Sequence, residues 1–220
     1  MPIPSAKKLQ KIWAQVPPDY YFHLNVFQRL WHERKWRVFE EVLANLNSPP
    51  QTILEVGCAG GHLSHLLSQL FPKSQVTGID VYKSAITEAK TRYPKLNFKV
   101  ADAHKLPFPK HTFDLVMCSE TIEHLTRPKT ALHEIRRVLK PAGHALIEMD
   151  SGSLLFRIIW WGWTSFGPGR VWKHAHLHPF SARELDQLIR TNGFATQRRR
   201  SSHLGMAVTF LVQPKTKTKL

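Results

Sequence analysis

The sequence TILEVGCAGGHLSHL at residues 52–66 decides the fold of this chain, because it predicts a strand, a tight turn and a helix start in immediate succession. Residues 52–56 form a short, β-branched, apolar run, and leucines at helical spacing follow the Gly60-Gly61 pair. Small residues in the turn let backbone N–H groups and a helix N-terminus come close to a ligand. Glu55 near the strand end adds a carboxylate that can accept hydrogen bonds from it. We therefore predict a ligand site at this turn.

The spacing of small residues in the turn excludes one class of ligand. A dinucleotide fingerprint G-x-G-x-x-G counted from Gly57 needs glycine at positions 59 and 62, which hold Ala59 and His62. The observed pattern, Glu55-x-Gly57-x-Ala59-x-Gly61, resembles motif I of the class I S-adenosylmethionine (SAM)-dependent methyltransferases. In that family the loop bends under the methionine part of the cofactor. Ala59 replaces the middle glycine, and we expect the glycine beside it to supply the lost backbone freedom.

Five further apolar runs extend this corner into a sheet. They are QVTGID at Gln75–Asp80, NFKVAD at 97–102, FDLVMC at 113–118, HALIEM at 144–149 and MAVTFLVQ at 206–213. Such runs alternating with helical segments predict an α/β fold covered on both faces. We expect a Rossmann-like, doubly wound, seven-stranded sheet that is mostly parallel with an antiparallel last strand. Ligands of such sheets bind at the carboxyl ends of the strands, where Glu55, Asp80, Asp102 and Ser119 fall.

The order of these motifs is similar to the small-molecule "type 11" methyltransferase-domain family, strongly over residues 51–149 and more weakly over 180–213. The resemblance implies SAM as the cofactor. It puts Asp80 on the ribose hydroxyls, Val81 against the adenine and Asp102 on the adenine amino group, although a cap of a helix or turn is the alternative role for Asp102. The implied cofactor-binding residues are Glu55, Gly57, Cys58, Ala59, Gly61, Asp80, Val81, Asp102, Ala103 and Ser119.

The sequence SETIEHL at residues 119–125 supplies the candidate catalytic groups. We expect this segment to turn into a helix, so that Glu120, Glu123 and His124 share one face beside the cofactor. We predict that His124 and Glu123 are catalytic, deprotonating or shaping the acceptor. The cluster resembles the metal-binding motif of O-methyltransferases acting on polyprenyl catechols in ubiquinone synthesis or on the 3′-terminal ribose of small RNAs. That resemblance implies a divalent metal on Glu120, Glu123, His124 and His176, while a metal-free role for His124 is favoured.

Composition agrees with one basic domain. A chain of 220 residues with 42% hydrophobic content can bury a substantial core. Cys58 and Cys118 suggest no disulfide framework, and no apolar signal segment follows Lys7 and Lys8, so we expect a cytoplasmic protein. The net charge of +15 favours an anionic partner or surface. Within the single domain 1–220 we predict a helical cap at 1–50, a SAM-binding core at 51–150, an insertion or lid at 151–180, a C-terminal helix and strands at 181–213 and a basic tail at 214–220.

The insertion at residues 151–180 is aromatic, basic and free of acids. Its segment LLFRIIWWGW is too short to span a bilayer, which takes about 20 residues. It predicts a lid over the acceptor, a core helix packed on the sheet, or an interfacial helix on an anionic membrane. Ser181 and Glu184 form a capping box that marks the next helix.

The N-terminal cap carries apolar residues at helical spacing over residues 22–46, with Arg34, Lys35 and Arg37 expected to point outward. Tyr20 and Tyr21 are candidate cofactor contacts.

Three functions follow from these observations. The first is a SAM-dependent methyltransferase for a small or lipid-like acceptor, with transfer to oxygen favoured. The second is an RNA ribose 2′-O-methyltransferase, which the positive charge and the histidines at 174, 176 and 178 support. The third is a non-catalytic SAM-binding protein, against which the intact acids at three strand ends argue. The acceptor and the oligomeric state are not determined by the sequence.

Overall fold

In a computed structural model of the chain, which describes residues 25–167, 169–170 and 177–215, helices and strands alternate around one sheet. The helices are α1 (Val26–Leu43), α2 (His62–Leu70), α3 (Lys83–Arg92), α4 (Pro128–Val138), α5 (Leu154–Phe166) and α6 (Ala182–Thr191). The strands are β1 (Thr52–Val56), β2 (Gln75–Asp80), β3 (Asn97–Val100), β4 (Phe113–Ser119), β5 (Leu139–Asp150), β6 (Phe194–Ser202) and β7 (Ala207–Pro214). Short 3₁₀ turns occupy Ile122–His124 and His203–Gly205.

The seven strands of the described chain lie in the order β3-β2-β1-β4-β5-β7-β6. Neighbours from β3 to β5 are parallel, and β7 is antiparallel to both β5 and β6, so β7 alone runs against the other six. The predicted fold class is therefore confirmed, including its antiparallel last strand. The chain winds outward in one direction from β1 and in the other from β4. This reversal opens a crevice at the carboxyl ends of β1 and β4.

Two strand boundaries differ from the sequence-based prediction. Strand β3 ends at Val100 instead of 102, because the Asp102 side chain turns the chain by accepting the His104 N–H at 2.8 Å. Strand β5 begins at Leu139, five residues early. The pairing of β4 with β5 shifts register between Phe113 and Leu115, and Pro141 and Gly143 lie within this irregular part of β5.

Apolar side chains cover both faces of the sheet. On one face, α4 and α6 pack residues such as Leu132 and Leu185 against the strands, and both side chains are fully buried. On the other, Phe39 of α1 and Leu67 of α2 pack against Ile53 of β1. β1 is buried on both sides, which explains why it reads as a continuous apolar run.

Helix α1 lies within the apolar helical pattern of residues 22–46 and corrects one prediction. Asn25 and Gln28 form a capping box at its start. Residues 1–24, including Tyr20 and Tyr21, lie outside the described residues. The expected outward position of Lys35 is wrong: its side chain is 4% exposed and lies on the same helical face as Phe39.

The segment 154–163 forms most of α5, whose first turn is capped by the Ser153 hydroxyl. Phe156 and Thr164 are its buried residues, so the alternative of a core helix is wrong. No helix in the described ranges is long and apolar enough to cross a membrane. The Ser181–Glu184 capping box at the start of α6 is confirmed.

Candidate active site at the carboxyl edge of the sheet

The turn after β1 is built on two glycines that nothing larger can replace. Gly57 has φ +79°, and a Cβ added there would lie 2.2 Å from the Thr121 hydroxyl oxygen. Gly61 has φ +81°, and a Cβ there would lie 2.7 Å from the ring of Phe98. The turn is thus held between β3 on one side and the segment after β4 on the other. Because these two residues have no Cβ, the turn can pack this closely against both neighbours.

Ala59 takes the strained position of the turn itself. Its φ is +44°, whereas Gly60 is not among the residues with positive φ. The expectation that the neighbouring glycine would supply the freedom is therefore wrong. Ala59 N donates to Asp80 Oδ2 at 2.9 Å, and this bond joins the turn to the end of β2.

Asp80 is placed where the prediction puts the ribose. Its Oδ1 accepts the N–H of Tyr82 at 3.0 Å, and each oxygen keeps a second lone pair for a ligand hydroxyl. Burial raises the pKa of the Asp80 carboxyl, and the backbone N–H donors oppose that rise. Val81 beside it is 56% exposed, which leaves an apolar surface of the kind that an adenine ring covers.

Asp102 performs the alternative role foreseen for it. Besides the His104 N–H, its Oδ1 lies 2.6 Å from His104 Nδ1, so the side chain caps a turn. Burial would raise the pKa of this carboxyl, but the His104 contacts hold it below its ordinary value. The side chain is still half exposed, and Ala103 next to it is buried. A ligand at this strand end can therefore still reach the Asp102 carboxylate.

A cavity of about 370 Å³ lies between α1 and the turn. Of the predicted cofactor residues it is lined by Glu55, Gly57, Cys58, Ala59 and Ser119. Asp80, Val81, Asp102 and Ala103 are not part of its lining, so the cavity adjoins only the residues of the predicted site around the glycine turn and Ser119. The wall contributed by α1, which includes Arg29, His32, Lys35 and Trp36, was missed by the sequence analysis.

Glu55 lies at the floor of this cavity. Its side chain is 3% exposed and accepts the hydroxyl of Ser64 on α2. Burial raises its pKa to about 8, although the Ser64 bond acts in the opposite direction. The Glu55 carboxyl is therefore largely protonated at neutral pH until a cationic ligand group meets it.

A buried ion cluster lies beside the cavity. The Lys35 ammonium contacts the carboxylate of Glu120 and lies 3.1 Å from Glu148 Oε1, while Ser119 Oγ donates to Glu148 Oε2 at 2.6 Å. Burial by itself would raise the pKa of the Glu120 carboxyl. The positive charge of Lys35 has the larger effect and lowers that pKa to about 2. Burial disfavours the charged lysine as well, but the surrounding carboxylates, Asp150 included, raise its pKa well above the ordinary value. The cluster therefore ties α1 to the ends of β4 and β5.

The sequence analysis missed this cluster, although two signals could have revealed it. Lys35 stands four residues from both Trp31 and Phe39, on the apolar face of α1. Glu148 interrupts the apolar run HALIEM, and an acid in a doubly covered strand needs a partner.

The predicted shared face of Glu120, Glu123 and His124 is wrong. Glu120 has φ +47° and precedes a 3₁₀ turn instead of a helix, so it points to Lys35. Glu123 is 2% exposed, and neither of its carboxyl oxygens has a hydrogen-bond partner in the described chain. Burial raises the pKa of the Glu123 carboxyl well above its ordinary value. His124 Nε2 lies 4.0 Å from Glu123 Oε1.

The same turn receives the end of the insertion. The backbone oxygen of Glu123 accepts the N–H groups of Leu177 and His178, each at 3.0 Å. The insertion therefore returns directly to the candidate catalytic turn.

The donor set does not fit the metal site that the resemblance implies. Glu120 is committed to Lys35, whose ammonium occupies the position of positive charge among these acids. Across the described ranges, no group of three or more His, Cys, Asp or Glu side chains is arranged to hold a metal ion. His176 lies outside those ranges.

The crevice at the strand-order reversal, the glycine turn and the acids that follow successive strands define a Rossmann-like, doubly wound fold with a ligand crevice at its carboxyl edge. A family model described as a methyltransferase domain matches residues 54–147. Residues 54–147 are therefore assigned to a methyltransferase domain.

Curated relatives and solved structures agree with this assignment. The chain is 30% identical over 129 residues to the ubiquinone/menaquinone biosynthesis C-methyltransferase UbiE of Desulfotalea psychrophila, covering 57% of this chain and 52% of that protein. It is 28% identical over 140 residues to the malonyl-[acyl-carrier protein] O-methyltransferase of Anoxybacillus flavithermus, covering 63% and 51%. The chain thus spans about half the length of these relatives. The PH0226 protein of Pyrococcus horikoshii has the same fold, with a TM-score of 0.72, 19% identity and coverage of 90% and 99%.

Replacing Ala59 by glycine is expected to stabilise the protein. The left-handed conformation costs an L-residue roughly 1–2 kcal/mol, while glycine loses roughly 0.4–1 kcal/mol more entropy on folding. The free energy of unfolding, measured by urea titration, should therefore rise by roughly 0.5–1 kcal/mol. Gly57→Ala is the matched control and should lower it by more than about 1 kcal/mol, because the methyl group meets Thr121. An Ala59→Gly protein less stable than wild type would contradict the left-handed turn.

Lys35→Met should destabilise the fold in a pH-dependent way. The variant leaves Glu120 and Glu148 without their cation, so the free energy of unfolding at neutral pH should fall by about 3 kcal/mol. The depressed pKa of Glu120 means that the ion pair stabilises fully above the ordinary carboxyl pKa and is lost as the pH falls toward 2.

The deficit of Lys35→Met should therefore shrink near a pH of about 4, where the freed carboxyls also protonate. Lys129→Met, on the exposed side of α4, is the control and should change stability little at either pH. Equal deficits for Lys35→Met at both pH values would show that the ion pair does not carry this stability.

Proposed function

We propose that this protein is a SAM-dependent methyltransferase that transfers a methyl group to a small or lipid-like acceptor at oxygen. The observation that carries the proposal is the cavity between α1 and the glycine turn, which adjoins the buried acids after β4. SAM supplies an activated methyl group on a sulfonium ion. The protein must hold the acceptor in line with that methyl group and take up the acceptor's proton.

The predicted cofactor residues divide between two ends of the site. Asp80 and Val81 would hold the ribose and the adenine, with Asp102 and Ala103 completing the adenine side. The turn from Gly57 to Gly61, with Glu55 below it, would cradle the methionine part. The pKa of the Glu55 carboxyl is about 8, so this group would lose its proton when the cofactor's ammonium group binds.

His124 and Glu123 are proposed to serve the acceptor. Since Glu123 is buried and lies next to His124, it is suited to orient that side chain and not to act as the initial base. His124, 4.0 Å from it, would receive the proton that leaves the acceptor hydroxyl. The chain matches one relative named as a C-methyltransferase and another named as an O-methyltransferase, so these names do not decide the acceptor atom. The proposal of transfer to oxygen therefore rests on Glu123 and His124.

The acceptor is proposed to be apolar and to reach the protein from a membrane. Support comes from the acid-free, tryptophan-rich insertion, whose end is bonded to Glu123. We place the reaction in the cytoplasm, at the surface of an anionic membrane. The two cysteines, Cys58 and Cys118, are buried and unpaired, as suits a reducing compartment.

The metal-free reaction is favoured over a metal-assisted one because the Lys35 ammonium already contacts the carboxyl groups of Glu120 and Glu148. The RNA alternative has less support. Arg200 pairs with Glu41 and Arg199 lies over the ring of Phe210, so part of the arginine run on β6 serves the fold.

Asp80→Ala should weaken SAM binding by about 100-fold or more, since two hydrogen bonds to a carboxylate are each worth roughly 1.5–3 kcal/mol. Calorimetric titration measures the change, and circular dichroism checks folding because Asp80 also holds the turn. Glu88→Ala, which removes a surface acid paired with Arg92, is the control. Wild-type affinity in Asp80→Ala would overturn the cofactor assignment.

His124→Ala should lower kcat by about 10²- to 10⁴-fold without changing the dissociation constant of SAM. Transfer of labelled methyl groups to a panel of phenols and hydroxylated lipids measures the change. His133→Ala, an exposed histidine on α4, is the control. Unchanged turnover in His124→Ala would remove its catalytic role. Tight SAM binding without turnover on any acceptor would favour the non-catalytic alternative. Methylation of RNA ribose would favour the RNA methyltransferase alternative.

A further inference from the structure

Helix α5 is apolar on the side that faces solvent. Its large exposed side chains are Leu154, Leu155, Ile158, Ile159, Trp161 and Phe166. At 100° per residue they fall within an arc of about 160°. Phe156 and Thr164, the buried residues of α5, lie on the opposite side. A surface helix of a globular protein normally presents polar residues to water. The exposed face of α5 instead presents large apolar side chains.

A second exposed apolar side chain lies on the turn between β6 and β7. Leu204 is 86% exposed and has φ +55°, a conformation that is unfavourable for a residue with a Cβ. Packing within the protein does not offset that strain, because the side chain projects into solvent. Strained, exposed residues of this kind are often placed for an external contact.

A third group stands at the start of α1, where Val26, Phe27 and Leu30 are all more than half exposed. Hydrogen bonds join the three places. Ser151, just before α5, donates its N–H to Met206 O at 2.7 Å and its hydroxyl to Gly205 O.

On the other side of the same turn, His203 Nε2 lies 3.0 Å from the backbone oxygen of Trp31, and the two rings stack at 3.8 Å. The turn of Leu204 is thus bonded both to the segment that leads into α5 and to α1 one residue after Leu30. We call the exposed faces of α5, Leu204 and the start of α1 the apolar rim. The rim lies on the carboxyl edge of the sheet, and α1 is also a wall of the cavity.

The charge around the rim is positive. Residues 151–180 contain no acid, and Arg157 and Arg170 are exposed within it. The whole chain carries +15. Leucine, isoleucine and tryptophan beside exposed arginine are the composition with which an interfacial helix enters the headgroup region of an anionic bilayer.

We propose that the apolar rim docks this protein on an anionic phospholipid membrane, with the mouth of the SAM cavity facing the bilayer. An apolar acceptor would then pass from the lipid to the site without crossing water. The inference deepens the proposed function and rests on it for the nature of the acceptor. The docking itself needs neither acceptor nor cofactor and is measured without them.

Co-sedimentation of the full chain with vesicles tests the docking. Vesicles of phosphatidylcholine with about one third phosphatidylglycerol should bind the protein about tenfold more strongly than phosphatidylcholine alone, and added salt should remove the difference. Equal binding to both vesicles would contradict the anionic surface. Absence of binding to either would overturn the proposal, including the case in which the rim instead meets another protein.

Three variants locate the contact. The double variant Ile158→Ser, Trp161→Ser should lower vesicle binding at least tenfold with SAM affinity unchanged. Leu204→Gly should lower vesicle binding while raising the melting temperature, because glycine relieves the strain; a purely structural role for Leu204 does not predict this combination. Val100→Ser, at an exposed valine on the opposite edge strand β3, is the matched control and should bind as wild type does.

Vesicle binding that is unchanged in both rim variants would overturn the assignment of the rim. The experiments distinguish failure of the docking proposal from failure of the proposed function. Methyl transfer to dispersed acceptors without vesicle binding would refute the docking alone, whereas vesicle binding without methyl transfer to any acceptor would refute the function alone.

Discussion

The contact of Lys35 with Glu120 and Glu148 is the interaction on which the site depends. It brings a helix from the start of the chain onto the ends of two strands that lie about a hundred residues later in sequence. A buried ion pair is a weak source of net stability, because the cost of desolvating both charges offsets their attraction. Its effect here is positional: once the acids are buried, α1 has to deliver a cation to them. That requirement sets the wall of the cavity and the direction of Glu120.

The turn after β1 shows a second constraint, which is close packing and not charge. Gly57 and Gly61 are pressed against Thr121 and the ring of Phe98, so the backbone of the turn is fixed from both sides. Ala59 between them adopts a left-handed conformation and donates to Asp80. The strain at Ala59 is thus offset by a hydrogen bond that couples the two halves of the proposed cofactor site. The turn and the acid at the end of β2 form one unit, and a change in either is expected to move the other.

Helix α5 and Glu123 show that a sequence can predict secondary structure without predicting where a side chain lies in the fold. The apolar run of α5 predicts a helix, but core, lid and interface all use such a run. Its exposure, with large apolar side chains facing solvent and Phe156 facing the protein, argues against the core alternative. Glu123 is similar, since its spacing from Glu120 predicts a shared helical face. The left-handed backbone at Glu120 rotates the two side chains apart, and this depends on Lys35, far away in sequence.

The sequence by itself determined the fold class, the bounds of β1 and β2, the antiparallel last strand, and the acids at the strand ends. These features follow from local periodicity, from glycine and from short spacings, all of which act between near neighbours in the chain. The tertiary structure alone decided that Lys35 is buried, that Ala59 carries the strain of the turn, that Glu120 and Glu123 diverge, and that α5 faces outward. Each of these depends on contacts between segments distant in sequence, where burial and the partner of each charge are set only when the elements pack together.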